Sequence, residues 1–165
     1  MSVRVARDDD WPAIREVQRT AFADDDIVRL VDELRGDPSL YVAELSFVAI
    51  SDGVVAGHVM NTWNDIDSVP VLQLSPLGVL PAYQRQGHGS ALVRASLDAV
   101  RRSGAAALVV EGNPEYYGRF GFVRADELGI LPPPEALYDW AVQVAVLDGT
   151  RLPQGQLHYS APFRH

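Results

Sequence analysis

The segment Gln84-Arg85-Gln86-Gly87-His88-Gly89-Ser90 has the residue types and spacing best suited to chemistry in this chain. Two glycines one residue apart let the main chain come close to an anion. The residues after them have helical periodicity, so the segment opens a helix. The first N–H groups of such a helix lack partners, and its dipole is positive at that end. Residue chemistry alone therefore gives a phosphate site. Ordinary turns also use Gly-x-Gly at a helix start, and both readings stand at this level. The segment lacks the Gly-Lys-Ser/Thr ending of a Walker A loop and the third glycine of a dinucleotide fingerprint. His58, His88, His158 and His165 show no metal-ligand spacing, and no Gly-x-Ser-x-Gly is present. The chain has no cysteine, which excludes disulfides, a thiolate nucleophile and cysteine metal ligands. No metal is expected.

The elements around this segment follow from periodicity. Val3 and Val5 alternate with polar neighbours as a short strand. Asp10 is placed to cap a helix with Pro12 in its first turn, and Ile14, Val17, Gln18 and Ala21 follow helical spacing. A second helix starts at Asp24 to Asp26, carries Ile27, Leu30, Val31 and Leu34 on one face and ends at Gly36. Residues 40–50 and 54–62 alternate as strands, with the hairpin pair Asp52-Gly53 between them. Residues 69–80 give a further strand. Its Pro76 is awkward inside a paired strand and predicts a bulge or a lost partner there. Residues 87–102 are helical, and 106–110 form an apolar, buried central strand. A short helix is expected over 114–119, extended chain over 120–124, a loop at 131–134 and a last strand over 140–147. The tail to His165 is expected to be irregular. No repeat or linker divides the chain, so residues 1–165 are read as one domain.

Composition bounds the function class. Of 165 residues 47% are hydrophobic and 22% charged, an ordinary soluble globular balance. No apolar run approaches the ~20 residues needed to span a bilayer. The charged first ten residues argue against a signal peptide, so a cytoplasmic location is expected. The formal net charge is −8. That sign repels nucleic-acid phosphates and favours cationic partners such as amines. Neither nucleic acid nor a membrane is an expected partner. The acidic triplets at 8–10 and 24–26 could draw a cationic substrate, or simply complement helix dipoles.

The flanking context narrows the phosphate reading. The stretch Leu77-Gly78-Val79-Leu80-Pro81-Ala82-Tyr83-Gln84-Arg85-Gln86-Gly87-His88-Gly89 resembles the acetyl-CoA signature of the GNAT superfamily of N-acetyltransferases. About 35 residues on, Tyr116-Tyr117-Gly118-Arg119-Phe120-Gly121-Phe122 resembles the superfamily's second signature, Tyr-x-x-x-Gly-Phe. The two together, in this order and spacing, are more specific than either alone. The resemblance implies a mixed α/β fold: a central, mostly antiparallel sheet of about seven strands, splayed at the fourth, with about four helices.

It also implies roles by position. The backbone of Leu77, Gly78 and Val79 would meet the pantetheine arm, with the Leu77 N–H facing the thioester oxygen as an oxyanion donor. The stretch from Gln84 through Arg85, Gln86, Gly87, His88, Gly89 and Ser90 would hold the pyrophosphate, with a charge-assisted contact from Arg85. His88 is expected to point to solvent. Asn113 would lie near the pantetheine, and Phe120 against the cofactor or in the core. Tyr117 aligns with the tyrosine that protonates the departing thiolate. A phenol of ordinary pKa ~10 is protonated at neutral pH and can serve as an acid.

The proton acceptor is where the sequence departs from the family. Many members carry Glu or His six residues before the valine at Val79, and here that residue is Gln73, which does not titrate. Glu111 at the end of the buried strand and His58 on the neighbouring strand are the remaining candidates, with Asp65 a third. A surface role for Glu111 and a core role for His58 are equally open. So is the absence of any base. The expected reaction is direct acetyl transfer from acetyl-CoA to a primary amine, on a small molecule or a peptide, in a ternary complex. The alternative is a non-catalytic acyl-CoA sensor or interaction module. Dimers are frequent in the family, which leaves a homodimer open. The loop at 128–138 is expected to line the acceptor side.

Overall fold

Asp52 and Gly53 adopt φ of 52° and 73°, the left-handed pair that a two-residue turn between twisted strands requires. They join β2 (Tyr41–Ser51) to β3 (Val54–Ile66) as the sequence predicts. The computed structural model describes residues 1–147 and 151–164. His165 lies outside the described residues. The remaining elements are β1 (Ser2–Val5), α1 (Trp11–Phe22), α2 (Asp26–Gly36), β4 (Val69–Val79), α3 (His88–Ser103), β5 (Ala107–Glu111), α4 (Pro114–Tyr117), β6 (Val123–Arg124), β7 (Ile130–Leu131), β8 (Val142–Val146) and β9 (Gly155–His158). Tertiary contacts divide the chain into two units, residues 1–62 with 75–99, and residues 63–74 with 100–165.

In the first unit β1 pairs antiparallel with β2 from Ser2↔Ile50 to Val5↔Phe47, and β2 with β3 from Ser46↔Met60 to Ser51↔Val54. Helix α1 buries Trp11, Ile14, Val17 and Gln18, and α2 buries Val31 and Leu34. That is the 3.6-residue spacing read from the sequence. Full burial of Ile14 or Leu34 stabilises by about 1.5–3 kcal/mol each. Asp10 does not cap α1 as expected. Its carboxylate instead accepts the Arg7 N–H at 2.8 Å and the Arg4 guanidinium at 2.7 and 3.0 Å. The Arg4 hydrogen bonds hold its pKa below the ordinary aspartate value, against the opposing effect of burial. The second helix begins at Asp26, whose N–H is taken by Asp24.

In the second unit β4 and β5 pair in parallel, and that ladder covers only Leu72↔Leu108 and Gln73↔Val109. Strand β5 continues antiparallel to β8, from Ala107↔Val146 to Glu111↔Val142, and β8 pairs with β6. The core here is Val71, Ala107, Val109, Val142 and Val144 from the strands, closed by Ile130, Leu157 and Tyr159 from the later chain. The strand order β1-β2-β3-β4-β5-β8-β6 is mixed and mostly antiparallel, with four α-helices. This is the expected class.

Further details differ from expectation, among them Phe120, which closes a helical turn over Gly118–Phe120 rather than starting extended chain. The last predicted strand starts at Val142, because 139–141 form a single helical turn. The stretch read as a loop at 131–134 contributes Leu131 to β7. The tail is not wholly irregular: β9 pairs with β3 at Asp65↔His158 and Ile66↔Leu157, and with β7 in parallel. No helix among the described residues is long and apolar enough to cross a membrane.

Candidate active site

In the first unit the site is built from backbone. The Leu80 N–H donates to the Ala56 carbonyl at 2.8 Å. Backbone groups alternate sides along a strand, so Leu80, Gly78 and Pro76 address β3 while Leu77 and Val79 direct theirs away from it. Pro76 follows a cis peptide bond after Ser75 and has no N–H of its own. The Val79 carbonyl accepts from Gln84 Nε2 at 3.0 Å, so Gln84 supplies it with a partner from within the chain. A carbonyl has a second lone pair, which leaves it able to take another donor.

The turn after β4 leads into α3 through left-handed residues. Arg85 holds φ of 62° and Gly87 φ of 90°. Gln86 Nε2 braces this turn through the Ala82 carbonyl at 3.1 Å. The first helical bond of α3 is Ala91 N–H to the Gly87 carbonyl at 3.0 Å. The N–H groups of His88, Gly89 and Ser90 therefore precede the helical ladder, with the helix dipole behind them. Residues Gln84 to Gly87 are exposed. An added Cβ at Gly87 would meet nothing within 4 Å, but its φ disfavours any side chain. His88 does not point to solvent as expected. It is 3% exposed, its ring meets Tyr83 edge-on at 5.6 Å, and neither ring nitrogen has a hydrogen-bond partner among the described residues.

His58 lies in the core of this unit, fully buried. Its Nδ1 is 2.8 Å from Gln18 Nε2, and its Nε2 is 3.0 Å from Ser46 Oγ. An amide nitrogen only donates, so Nδ1 accepts and the proton sits on Nε2. Burial drives its pKa down to about 3, with a small opposing effect from Asp10. A neutral ring with both nitrogens engaged and no exposure has no route to a substrate proton. The base role offered for His58 therefore gives way to the core role.

The second unit holds the remaining candidates. Asn113 caps α4, its Oδ1 accepting the Glu115 N–H at 2.9 Å. Tyr117 ends that helix with its ring edge-on to Tyr116 at 4.9 Å and to Phe122 at 5.6 Å. Phe120 packs on Tyr116 at 5.5 Å. The Tyr117 ring lies directly on Gly112, where an added Cβ would come 2.5 Å from Cε2. Gly112 is in turn pinned to Ala141 at 3.0 Å. Burial, and secondarily Tyr116, push the Tyr117 phenol well above its ordinary pKa, so it is protonated at neutral pH.

Glu111 is half-buried, with both carboxylate oxygens engaged: Tyr159 donates at 2.8 Å and the Leu137 N–H at 3.0 Å. The expected acceptor loop and the C-terminal segment thus meet at this carboxylate. Gln73 is 2% exposed and its Oε1 accepts from Asn64, whose own Oδ1 accepts the Ser160 N–H at 2.6 Å. Burial would raise the pKa of Asp65, but the Ser68 N–H and the His158 ring, each at 3.0 Å, hold it below the ordinary value. Gln18 and Tyr159 were missed as chemically relevant. Gln18 reads as part of a helical face and Tyr159 as part of an irregular tail, because their polar partners lie 40 and 48 residues away in the chain.

A model of the acetyltransferase (GNAT) family matches residues 11–122, more than half of the chain. The chain belongs to this family. The GNAT relationship extends to the uncharacterized N-acetyltransferase YhbS of Escherichia coli K12, 36% identical over 128 residues, covering 76% of this chain and 75% of that protein. The uncharacterized N-acetyltransferase YjhQ of the same organism is also 36% identical, over 113 residues. That match covers 66% of this chain and spans 62% of YjhQ. Two solved GNAT structures resemble this fold closely. E. coli YhbS in complex with CoA has a TM-score of 0.87 at 31% identity, over 99% of this chain and 92% of that one. A Brucella melitensis acetyltransferase in complex with acetyl-CoA has a TM-score of 0.80 at 32% identity, over 98% and 97%.

Proposed function

We propose that this chain transfers the acetyl group of acetyl-CoA to a primary amine by direct attack in a ternary complex. The observation that carries the proposal is the turn at Arg85 to Gly87 followed by the start of α3. Its left-handed φ values lead the chain into the positive end of a helix, whose first N–H groups precede the helical ladder. That arrangement suits a pyrophosphate, and solved relatives hold CoA and acetyl-CoA. The backbone of Leu77 and Val79 receives the pantetheine arm. The amine nitrogen forms a bond to the thioester carbonyl carbon, and the carbon–sulfur bond breaks. The Leu77 N–H stabilises the negative charge that develops on the carbonyl oxygen. Tyr117, protonated at neutral pH, gives its proton to the leaving thiolate. With His58 buried and neutral, two carboxylates remain. Asp65 is the weaker base, held despite burial below its ordinary pKa by Ser68 and His158, and Glu111 takes the proton from nitrogen through water. The acidic charge of the chain suits a cationic acceptor.

Gln73 favours a second reading. Buried and bonded to Asn64, it puts an amide where the family often has a titrating group. A non-catalytic acyl-CoA sensor would carry the same CoA cradle and show no transfer to any amine. Calorimetric titration of CoA into Gly87→Glu tests the donor assignment. The substitution places bulk and negative charge against the proposed pyrophosphate site at a φ of 90°. Binding should fall at least about 100-fold, the loss expected when a like charge faces a partly desolvated anion. Unchanged affinity in a folded variant would sink the assignment.

A further inference from the structure

Gln18 projects from α1 with its side-chain amide fully buried. Its Nε2 faces three acceptors: His58 Nδ1 at 2.8 Å, the His58 carbonyl at 3.2 Å and the Pro76 carbonyl at 3.5 Å. Two N–H bonds serve the three. One is committed to the short Nδ1 contact, and the other is shared between the two carbonyls. The orientation of the amide follows from this set, because a flipped amide would put its oxygen against two carbonyl oxygens. The His58 ring is itself anchored by Ser46 at 3.0 Å. Gln18 is therefore held from one end by a fixed neutral imidazole.

The other end of the amide also lies against β4. An added Cβ at Gly78 would come within 2.6 Å of Gln18 Oε1 and 3.2 Å of its Cδ. That oxygen has no hydrogen-bond partner among the described residues. The amide thus spans Pro76 to Gly78, and Leu77 lies between them. The Pro76 carbonyl and the Leu77 N–H are the two ends of one peptide group. A donor on the carbonyl fixes the plane of that peptide and draws electron density toward its oxygen. The N–H at the opposite end becomes the stronger donor, the cooperativity seen in chains of hydrogen bonds.

We propose that Gln18 is a positioning residue for the Leu77 N–H, orienting and polarising the Pro76–Leu77 peptide so that this donor meets the thioester oxygen. The inference rests on the acetyltransferase reading and assigns the residue that tunes its oxyanion donor. The bulk it fills is apolar-sized, so Gln18→Met keeps the volume and removes only the amide.

The test is isotope-edited infrared spectroscopy of acetyl-CoA labelled with 13C at the carbonyl, bound to the wild-type chain and to Gln18→Met. The wild-type band should shift to lower wavenumber than that of free acetyl-CoA. The variant should lose at least about half of that shift, while its affinity for CoA, which has no carbonyl at this place, stays within about twofold. In an amine assay its kcat should fall roughly tenfold with KM for acetyl-CoA unchanged, less than the ~100-fold for loss of a direct oxyanion donor. Gly78→Ala, which pushes the amide away from the strand side, should lose the shift too and serves if Gln18→Met does not fold. An identical band in a folded variant that binds CoA overturns the role of Gln18 alone. Failure of the wild-type chain to bind CoA overturns the acetyltransferase reading and this inference with it.

Discussion

Tyr117 owes its place to a residue without a side chain. Its ring rests on the Gly112 backbone, and a single methyl there would overlap Cε2. Burial raises the phenol's pKa and keeps it protonated at neutral pH. An acid in that state needs only to be aimed. Tyr117→Phe should therefore lower kcat by about 10²-fold and leave the affinity for CoA near wild type, the usual size of a general-acid contribution. Gly112→Ala keeps the phenol but tilts the ring, and should lower kcat as well. Steady-state kinetics on both variants checks this. A full-rate Tyr117→Phe would return the residue to a packing role. Tyr117 was legible through its motif, whereas the need for Gly112 was not, since ring-on-backbone contact leaves no periodic trace.

At the scale of elements, α1, β2 and β3 are tied by one buried imidazole. Ser46, His58 and Gln18 come from three different elements, and Ser46 and Gln18 between them engage both ring nitrogens. The His58 pKa of about 3 in the folded chain lies below the ordinary value of 6.5. Between these two values the unfolded chain binds a proton that the folded one refuses. Stability from this group is thus present in full above pH 6.5 and declines as pH falls toward 3. The slope is about 1.4 kcal/mol per pH unit for one proton, reaching on the order of 5 kcal/mol over the whole window. Urea unfolding between pH 8 and 4 should show this decline, and the NMR signals of the His58 ring should not titrate above pH 5. A ring titrating near 6.5 would contradict the buried assignment.

The same elements show what sequence can and cannot say. Long periodic segments such as α1 and α3 and the Asp52-Gly53 hairpin were legible, because side-chain spacing alone defines them. His88 was misread as exposed. It lies four residues before Leu92 on α3, on the face that Leu92, Ser96 and Val100 bury, and helical phase outweighed its polarity. Strand β9 was invisible for a different reason. Four residues beginning at a glycine, two positions after Pro153, show no alternation, and their partner Asp65 is 93 residues earlier in register with His158. The roles of Gln18 and Tyr159 were hidden in the same way, by partners remote in the chain.

For the whole molecule, membership of the GNAT family rests on a match spanning both sequence signatures and on two solved relatives sharing nearly all of the chain. The donor half of the proposed reaction was readable from a short local segment, since a phosphate cradle is made of consecutive backbone. The acceptor half was not. Glu111 acquires its surroundings from the loop at Leu137 and from the C-terminal segment, and the Gln73–Asn64 pair from the C-terminal segment. One measurement bears directly on the central claim. The purified chain is incubated with acetyl-CoA and a broad panel of primary amines, and free CoA release is followed together with the mass of each amine. Release that depends on the amine, with one product heavier by an acetyl group and both lost in Gly87→Glu, is the predicted result. Binding of acetyl-CoA with no transfer to any amine in the panel would contradict the account and leave the sensor reading in its place.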